Sequence, residues 1–139
     1  MKHKTLDIPV DEFASPIQLT AKPDSKVDYL RHLLNEKGVR HIPIVENKKP
    51  IGIVTDRDIS LISGLKFSHD FLASDIMTES PYTVPKGTPL ETVAFEMSTR
   101  KIGSALIVNK KGEIDSIFTS VDGLNALIEI IRGEIENIK

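Results

Sequence analysis

The chain has no cysteine and no tryptophan, and only 5% of its 139 residues are aromatic. Without cysteine there can be no disulfide, no thiolate nucleophile and no sulfur-ligated metal. With so few aromatic side chains, the core has to be built from the aliphatic residues that dominate the 40% hydrophobic fraction. The composition indicates a globular protein and excludes several classes of enzyme.

The chain also lacks an excess of charge and any long apolar run. It has 18 Lys and Arg against 20 Asp and Glu, a net charge of -2, so no strong positive field attracts nucleic acid or anionic lipid. No segment approaches the roughly 18 apolar residues of a spanning helix, and the first nine residues have no signal-peptide pattern. We expect a cytoplasmic protein with no nucleic-acid and no membrane partner.

The length suits one domain of ordinary size, and within it the sequence repeats. Thr119 follows Thr55 by 64 residues, in the same local context. The matched segments are 15–17 with 80–82, 22–27 with 85–90, 41–45 with 104–108 and 53–58 with 117–122.

Each repeat contains an amphipathic helix ahead of its pair of apolar runs. In the first repeat, apolar residues recur at intervals of three and four between Val27 and Leu34, with Asp24 or Ser25 as the cap and Gly38 as the stop signal. The counterpart runs from about residue 88 towards residue 103, with a proline suited to its first turn. Its predicted apolar face consists of Leu90, Val93, Ala94 and Met97.

Two short apolar runs follow each helix, at 42–45 and 51–54 and again at 105–108 and 114–118. Polar turn-forming residues separate each pair, which predicts two antiparallel hairpins. A further helix starts after Thr55 and after Thr119.

The fold class is therefore α/β (α+β), with two tandem β-α-β-β-α repeats. We expect residues 1–139 to form a single module with pseudo-two-fold symmetry, because one repeat covers only one face of its sheet. Repeat 1 spans about 8–64 and repeat 2 about 72–132.

The segments Val-Arg-His-Ile-Pro-Ile-Val (39 to 45) and Gly-Ile-Val-Thr-Asp-Arg-Asp-Ile (52 to 59) resemble the motif of the CBS (cystathionine beta-synthase) domain. Asp75-Ile76-Met77-Thr78, before the second copy, is also typical of that family. The resemblance covers roughly residues 8 to 132 as two tandem motifs, a Bateman module.

The resemblance implies a regulatory module that is not an enzyme and has no catalytic cofactor. Similar modules bind an adenosine-containing ligand, of the AMP, ADP, ATP, S-adenosylmethionine or NAD type, in the clefts between the two motifs. They pair into disc-shaped homodimers, and occupancy would be relayed to an unidentified effector protein.

Thr55 and Asp58 lie at a strand-to-helix junction, where a ligand with a phosphate and a ribose would fit. The helix N-terminus attracts a phosphate, to which Thr55 could donate and with which Arg57 could pair. The carboxylate of Asp58 can accept from two neighbouring ribose hydroxyls. The resemblance implies the same roles for Thr119 and Asp122. In the alternative interpretation both pairs are only capping boxes, and the two roles can coexist.

The two copies differ at two positions that matter for a phosphate. Gly52 corresponds to Ser116 and Arg57 to Val121, so the second copy lacks the glycine and the cation. We expect the cleft that uses Asp58 to be the primary site. The other cleft would be weaker, selective for an uncharged nucleoside, or empty.

The resemblance places the base beside segments 17–19 and 40–42. Ile17, Ile42 and Pro43 would give apolar contacts, and Arg40 and His41 would reach a phosphate or a partner chain. Core packing is the alternative for the three apolar residues, and an ordinary packed or exposed histidine is the alternative for His41.

Metal and catalytic sites are not expected. The histidines lack metal-ligand spacing, and Asp56 and Asp58 do not form an acid–base pair. The second functional hypothesis is a ligand-independent dimerisation or assembly module. An amphipathic C-terminal helix, which could pack internally or at a dimer interface, is predicted from Ile128, Ile130, Ile131, Ile135 and Ile138.

Overall fold

The computed structural model describes residues 7–133. The predicted Ile135 and Ile138 of the C-terminal helix lie outside the described residues. In chain order the elements are β1 (Ser15–Pro16), α1 (Val27–Lys37), β2 (His41–Glu46), β3 (Lys49–Thr55), α2 (Asp56–Ile62), α3 (Ala73–Ile76), β4 (Thr78–Glu79), β5 (Thr83–Pro85), α4 (Leu90–Arg100), β6 (Ser104–Val108), β7 (Ile114–Thr119) and α5 (Ser120–Ile131), with short 3-10 turns at Val10–Glu12 and Ser68–Asp70.

The chain divides into two compact units. Residues 17–81 form one, here called the first-motif unit, while residues 7–16 and 82–133 form the other, the second-motif unit. Strand β1, near the start of the first repeat, pairs with β7 of the second repeat. Strand β4, near the start of the second repeat, pairs with β3 of the first. Each unit therefore takes one strand from the start of the other repeat.

The first-motif unit contains a three-stranded antiparallel sheet in the order β2-β3-β4. Asn47 and Lys48 join β2 to β3 with φ values of 50° and 66°, as a two-residue hairpin turn with left-handed residues requires. This confirms the first predicted hairpin. Helices α1 and α2 pack on the sheet through a core that includes Val27, Leu30, Leu34, Ile42, Ile44, Val54 and Ile59.

The second-motif unit has a four-stranded sheet in the order β1-β7-β6-β5. Strands β6 and β7 form the second predicted hairpin, and β5 adds to β6 in parallel. Its core includes Ile8, Val10, Val84, Leu90, Val93, Met97, Ala105, Ile107, Phe118 and Ala126. Ala94 is exposed, so it does not belong to the buried face predicted for α4.

The start of α1 differs from the prediction. Neither Asp24 nor Ser25 caps the helix, whose N-cap is Lys26 without a side-chain hydrogen bond. The backbone N–H of Val27 instead donates to the carbonyl of Phe71 at 2.9 Å, so a distant segment supplies the acceptor that a cap would provide. The stop signal is confirmed, since Gly38 ends the helix in the left-handed region at φ 65°.

The alignment of Ser15 with Ser80 was wrong. Ser15 lies opposite Ile117, and Thr78 lies opposite Ile53. Both isoleucines precede a capping threonine by two residues, so Ser15 and Thr78 occupy equivalent positions. Matching two Ser-Pro pairs by identity shifted the alignment by two residues, because such short strands carry no periodic signal of their own.

Candidate ligand-binding site

Thr55 and Asp58 form a complete capping box at the start of α2. The backbone N–H of Thr55 donates to Asp58 Oδ2 at 2.8 Å, and the N–H of Asp58 donates to Thr55 Oγ1 at 3.2 Å. The capping interpretation is thereby confirmed for this pair. The N–H of Asp58 already donates to Thr55 Oγ1, so this N–H of the first helical turn is not available to a phosphate.

The box leaves one carboxylate oxygen of Asp58 available. Oδ2 is used by Thr55, whereas Oδ1 has no hydrogen-bond partner within residues 7–133. The side chain is half-buried. An ionised carboxylate oxygen is a strong acceptor, so Asp58 can cap its helix and still accept from a ligand hydroxyl.

Arg40 and His41 lie directly beside this box. His41 is opposite Thr55 in the pairing of β2 with β3, and the N–H of Asp56 donates to the carbonyl of Arg40 at 3.1 Å. The side chains of Arg40 and Arg57 are exposed. The first-motif unit therefore presents two arginines and a histidine around Asp58, with Asp56 as an opposing charge.

Burial lowers the pKa of His41 below its ordinary value of 6.5. The charge of Asp56 opposes this effect, Arg40 adds to it, and Asp58 opposes it. Because desolvation disfavours the charged imidazolium, His41 is mainly neutral at neutral pH and can act as a donor or acceptor there.

The second-motif unit repeats the backbone geometry without the charges. Ser104 is opposite Thr119, and the N–H of Ser120 donates to the carbonyl of Gly103 at 3.1 Å. The pairing of Ser104 with Thr119 corresponds to that of His41 with Thr55. The bond from Ser120 to Gly103 corresponds to the bond from Asp56 to Arg40. Glycine and serine thus replace arginine and histidine, and Val121 replaces Arg57. The expected difference between the copies is therefore wider than the sequence comparison recognised.

Asp122 is engaged more completely than Asp58. Its Oδ2 accepts from the N–H of Thr119 at 2.9 Å and from Thr119 Oγ1 at 3.1 Å, while its N–H donates to Thr119 Oγ1 at 3.4 Å. Its Oδ1 accepts from Ser15 Oγ at 3.1 Å, and the residue is 9% exposed. The second capping prediction is also confirmed, with both carboxylate oxygens in use.

Sequence reasoning missed Ser15 and Thr78 as site residues. Both carry a hydroxyl next to a capping box, but only Ser15 bonds to the aspartate of its unit. Thr78 is exposed. For Thr78 the available signal is the segment Asp75-Ile76-Met77-Thr78, which is typical of the family ahead of the second motif.

Ile42 and Pro43 are buried in β2, and Ile42 is part of the core of the first-motif unit. Core packing accounts for the side chain of Ile42, and the contacts of Ile42 and Pro43 with a ligand stay a prediction. Ile17 is half-buried and lies outside the named strands.

Gly52 is explained by packing and does not require a ligand. A Cβ built there would meet Met77 Sδ and lie 2.8 Å from Met77 Cγ and 3.1 Å from the carbonyl of Thr78. At the equivalent positions the second-motif unit has Ser116 and Ala14. Close packing against Met77 therefore accounts for the glycine in the first-motif unit. The effect of Gly52 on phosphate binding stays a prediction.

A surface groove of about 460 Å³ lies within the second-motif unit, between α4 and α5. Its lining residues are Ala94, Met97, Ser98, Lys101, Ile102, Gly103, Phe118, Ser120 and Gly123. At four of these positions the first-motif unit has Arg31, Arg40, Asp56 and Ile59 in place of Ala94, Gly103, Ser120 and Gly123. The smaller residues leave this space open.

Within residues 7–133 no group of three or more His, Asp or Glu side chains could hold a metal ion. Across the same part of the chain, no helix has both the length and the apolar character needed to cross a membrane.

The sequence model of the CBS domain matches residues 9–62 and 73–129. Together these ranges cover most of the chain, and each range contains one of the two capping boxes. The chain therefore belongs to the CBS domain family, with two tandem CBS motifs.

Two curated relatives illustrate the contexts of such pairs. A CBS domain-containing protein of Dictyostelium discoideum is 27% identical over an alignment of 135 positions, which covers 88% of this chain and 93% of that protein. Inosine-5'-monophosphate dehydrogenase of Korarchaeum cryptofilum is 33% identical over 105 residues. The match covers 75% of this chain and 21% of that enzyme's length.

Solved structures share the fold. CBSX2, crystallised in complex with AMP, is 28% identical with a TM-score of 0.74, covering 88% of this chain and 97% of that one. The CBS domain pair of protein MJ0100, in complex with 5'-methylthioadenosine and S-adenosyl-L-methionine, is 25% identical with a TM-score of 0.76. That match covers 96% of this chain and all of the other.

Proposed function

We propose that this chain is a regulatory module that binds an adenosine-containing ligand through its first motif and signals occupancy to a partner protein. The observation that carries the proposal is the Oδ1 of Asp58, which has no hydrogen-bond partner within residues 7–133 and belongs to the same motif as His41 and the exposed Arg40 and Arg57. A carboxylate oxygen suits a ribose hydroxyl, and the neighbouring cations suit a phosphate. The module itself would have no catalytic role.

The ligand class follows from the relatives. CBSX2 was crystallised with AMP and the MJ0100 pair with two adenosyl compounds, which supports an adenosyl ligand here. The two exposed arginines favour a ligand that carries a phosphate, of the AMP, ADP or ATP type. A partner would respond only if the ligand binds two states of the module with different affinity.

The test is titration calorimetry of the purified chain with AMP, ADP, ATP, S-adenosylmethionine and NAD. In Asp58→Asn the amide oxygen can still accept from Thr55, so the cap is kept, but an NH2 donor replaces the free acceptor. We expect affinity to fall by roughly 10- to 100-fold, because hydrogen bonds to a charged group are lost. The melting temperature should change little.

Asp122→Asn is the matched control, since it changes the same chemical group in the other capping box. It should leave ligand affinity at the first motif unaltered. Absence of binding by the wild-type chain at millimolar concentrations of every ligand would refute the proposal, and so would equal losses in the two variants.

A ligand-independent assembly module is the second candidate, and a separate observation favours it. Helix α5 exposes Val121, Leu124, Ile128 and Ile131, whose 3-4-3 spacing is that of the apolar seam of a coiled coil. A homodimer formed through this seam would exist with or without ligand, so the two candidate functions are compatible.

A further inference from the structure

The hydroxyls of Ser15 and Thr78 are equivalent in position and different in use. Each lies on a short strand, opposite the isoleucine that precedes a capping threonine by two residues. Ser15 Oγ donates to Asp122 Oδ1 at 3.1 Å. Thr78 is exposed and makes no such bond to Asp58.

With the bond from Ser15, both carboxylate oxygens of Asp122 accept hydrogen bonds. With Oδ2 already held by Thr119, the serine hydroxyl takes the oxygen that corresponds to the free one of Asp58. Asp122 is 9% exposed. A ligand hydroxyl would have to displace a hydroxyl already in place, so the exchange would break one hydrogen bond to Asp122 for each one that it forms.

At Asp58 the balance differs. Oδ1 has no partner within the described part of the chain, so a ligand hydroxyl replaces only water there. The two motifs share the same capping geometry, but one aspartate is open and the other is closed by a residue of the same chain.

We propose that Ser15 is a specificity-determining residue that withholds Asp122 from adenosyl ligands, so that the chain binds ligand through Asp58 alone. The inference rests on the proposed function for the choice of ligand class. It explains why two motifs with the same Thr-x-x-Asp spacing would not form two equal sites.

The competing explanation is that Ser15 only anchors β1 to the sheet. The two explanations, that Ser15 anchors β1 and that Ser15 closes Asp122 to ligands, predict different results when the hydroxyl is removed. Loss of an anchor lowers stability and leaves the number of ligands bound unchanged. Loss of a closure exposes a second acceptor, so the number of ligands bound increases.

The experiment measures binding stoichiometry in the full chain by calorimetry, with AMP and with adenosine as probes. The second probe is included because the surroundings of Asp122 lack the cations of the first motif. Ser15→Ala removes the hydroxyl, and Ser15→Gly also removes the Cβ. Thr83→Ala removes an exposed hydroxyl from β5 of the same sheet, one that does not bond to Asp122, and is the matched control.

We expect Ser15→Gly or Ser15→Ala to bind one more ligand per chain than the wild type, with the affinity at Asp122 rising on the order of tenfold. Adding Asp122→Asn should abolish the additional site, and Thr83→Ala should behave as the wild type. An unchanged stoichiometry in both the alanine and the glycine variants would overturn the inference.

This test can fail independently of the proposed function, because it compares the number of ligands bound by each variant with the number bound by the wild type. A wild-type chain that binds no probe, with a glycine variant that binds one through Asp122, would refute the Asp58 site and support the closure. Binding of two ligands by the wild type would overturn the closure and leave the Asp58 site intact.

Discussion

Two aspartates with the same local sequence context have different remaining capacity to accept hydrogen bonds. Asp58 uses one carboxylate oxygen for its cap, and Asp122 uses both, one of them for Ser15. The capping role is common to both residues, so the Thr-x-x-Asp spacing alone does not rank the two motifs. What ranks them is the remaining acceptor and the charge of the side chains around it.

His41 gives a prediction on pH. Its pKa in the folded protein lies below 6.5 because of burial, so as the pH falls below about 6.5 the unfolded chain takes up the proton first. The contribution of His41 to stability is therefore complete above that pH and is lost as the pH falls towards the folded pKa.

The measurement is the free energy of unfolding of the wild type and of His41→Gln between pH 5 and pH 8. We expect the wild type to lose stability relative to the variant on acidification. A difference between the two that stays constant over this range would contradict the prediction.

At the scale of single elements, the helices show where local sequence is sufficient. Helix α2 and helix α5 begin at capping boxes set by residues three apart, and α1 ends at the predicted glycine. By contrast, α1 begins without a side-chain cap, because the carbonyl of Phe71 accepts from its first N–H. The start or end of a helix can be predicted from the sequence when the group that caps it lies within a few residues along the chain.

Gly123 lies inside α5 for no packing reason that requires a glycine. The nearest atom to a Cβ built there is Phe118 Cζ at 3.6 Å, an ordinary contact, and the equivalent Ile59 is buried in the first-motif unit. We expect Gly123→Ala to stabilise the protein by about 1 kcal/mol, from helix propensity and partial filling of the groove.

Chemical denaturation measures this change, with Gly38→Ala as the opposing control. Gly38 has a φ of 65°, where a Cβ is strained, so that variant should be less stable by about 1 kcal/mol. A destabilised Gly123→Ala would show that the groove does not tolerate the additional methyl group.

At the scale of the whole molecule, α5 presents an apolar seam that the described chain leaves uncovered. Its four residues Val121, Leu124, Ile128 and Ile131 are between 45% and 74% exposed. A coiled-coil spacing of this kind is stabilised by burial against a second helix, and the same helix of a second copy would present the matching seam.

We therefore expect a homodimer that depends on this seam. Leu124→Lys and Ile128→Lys place a charge within it and should shift the sedimentation mass from dimer to monomer, because burial of an unpaired charge is costly. Asn35→Lys adds the same charge at an exposed position of α1, on a different helix, and should remain dimeric. A wild-type chain that sediments as a monomer would contradict the assembly candidate.

The repeat, the long helix and paired strands of each copy, both hairpins and both capping boxes were predictable from the sequence, whereas α3 was not. These features depend on hydrophobic periodicity and on contacts three or four residues apart, which leave a local pattern. Asp58 and Thr55 were found in this way, and so were Asp122 and Thr119.

Only the tertiary structure decided which strand each unit takes from outside its own repeat, and therefore which hydroxyl lies beside which aspartate. Strands β1 and β4 have two residues each, too short for a periodic signal, so only pairing with a distant strand fixes their register. Ser15 bonds to an aspartate 107 residues away. Pairing over such a distance is the reason that one motif is closed and the other open while their sequences look alike.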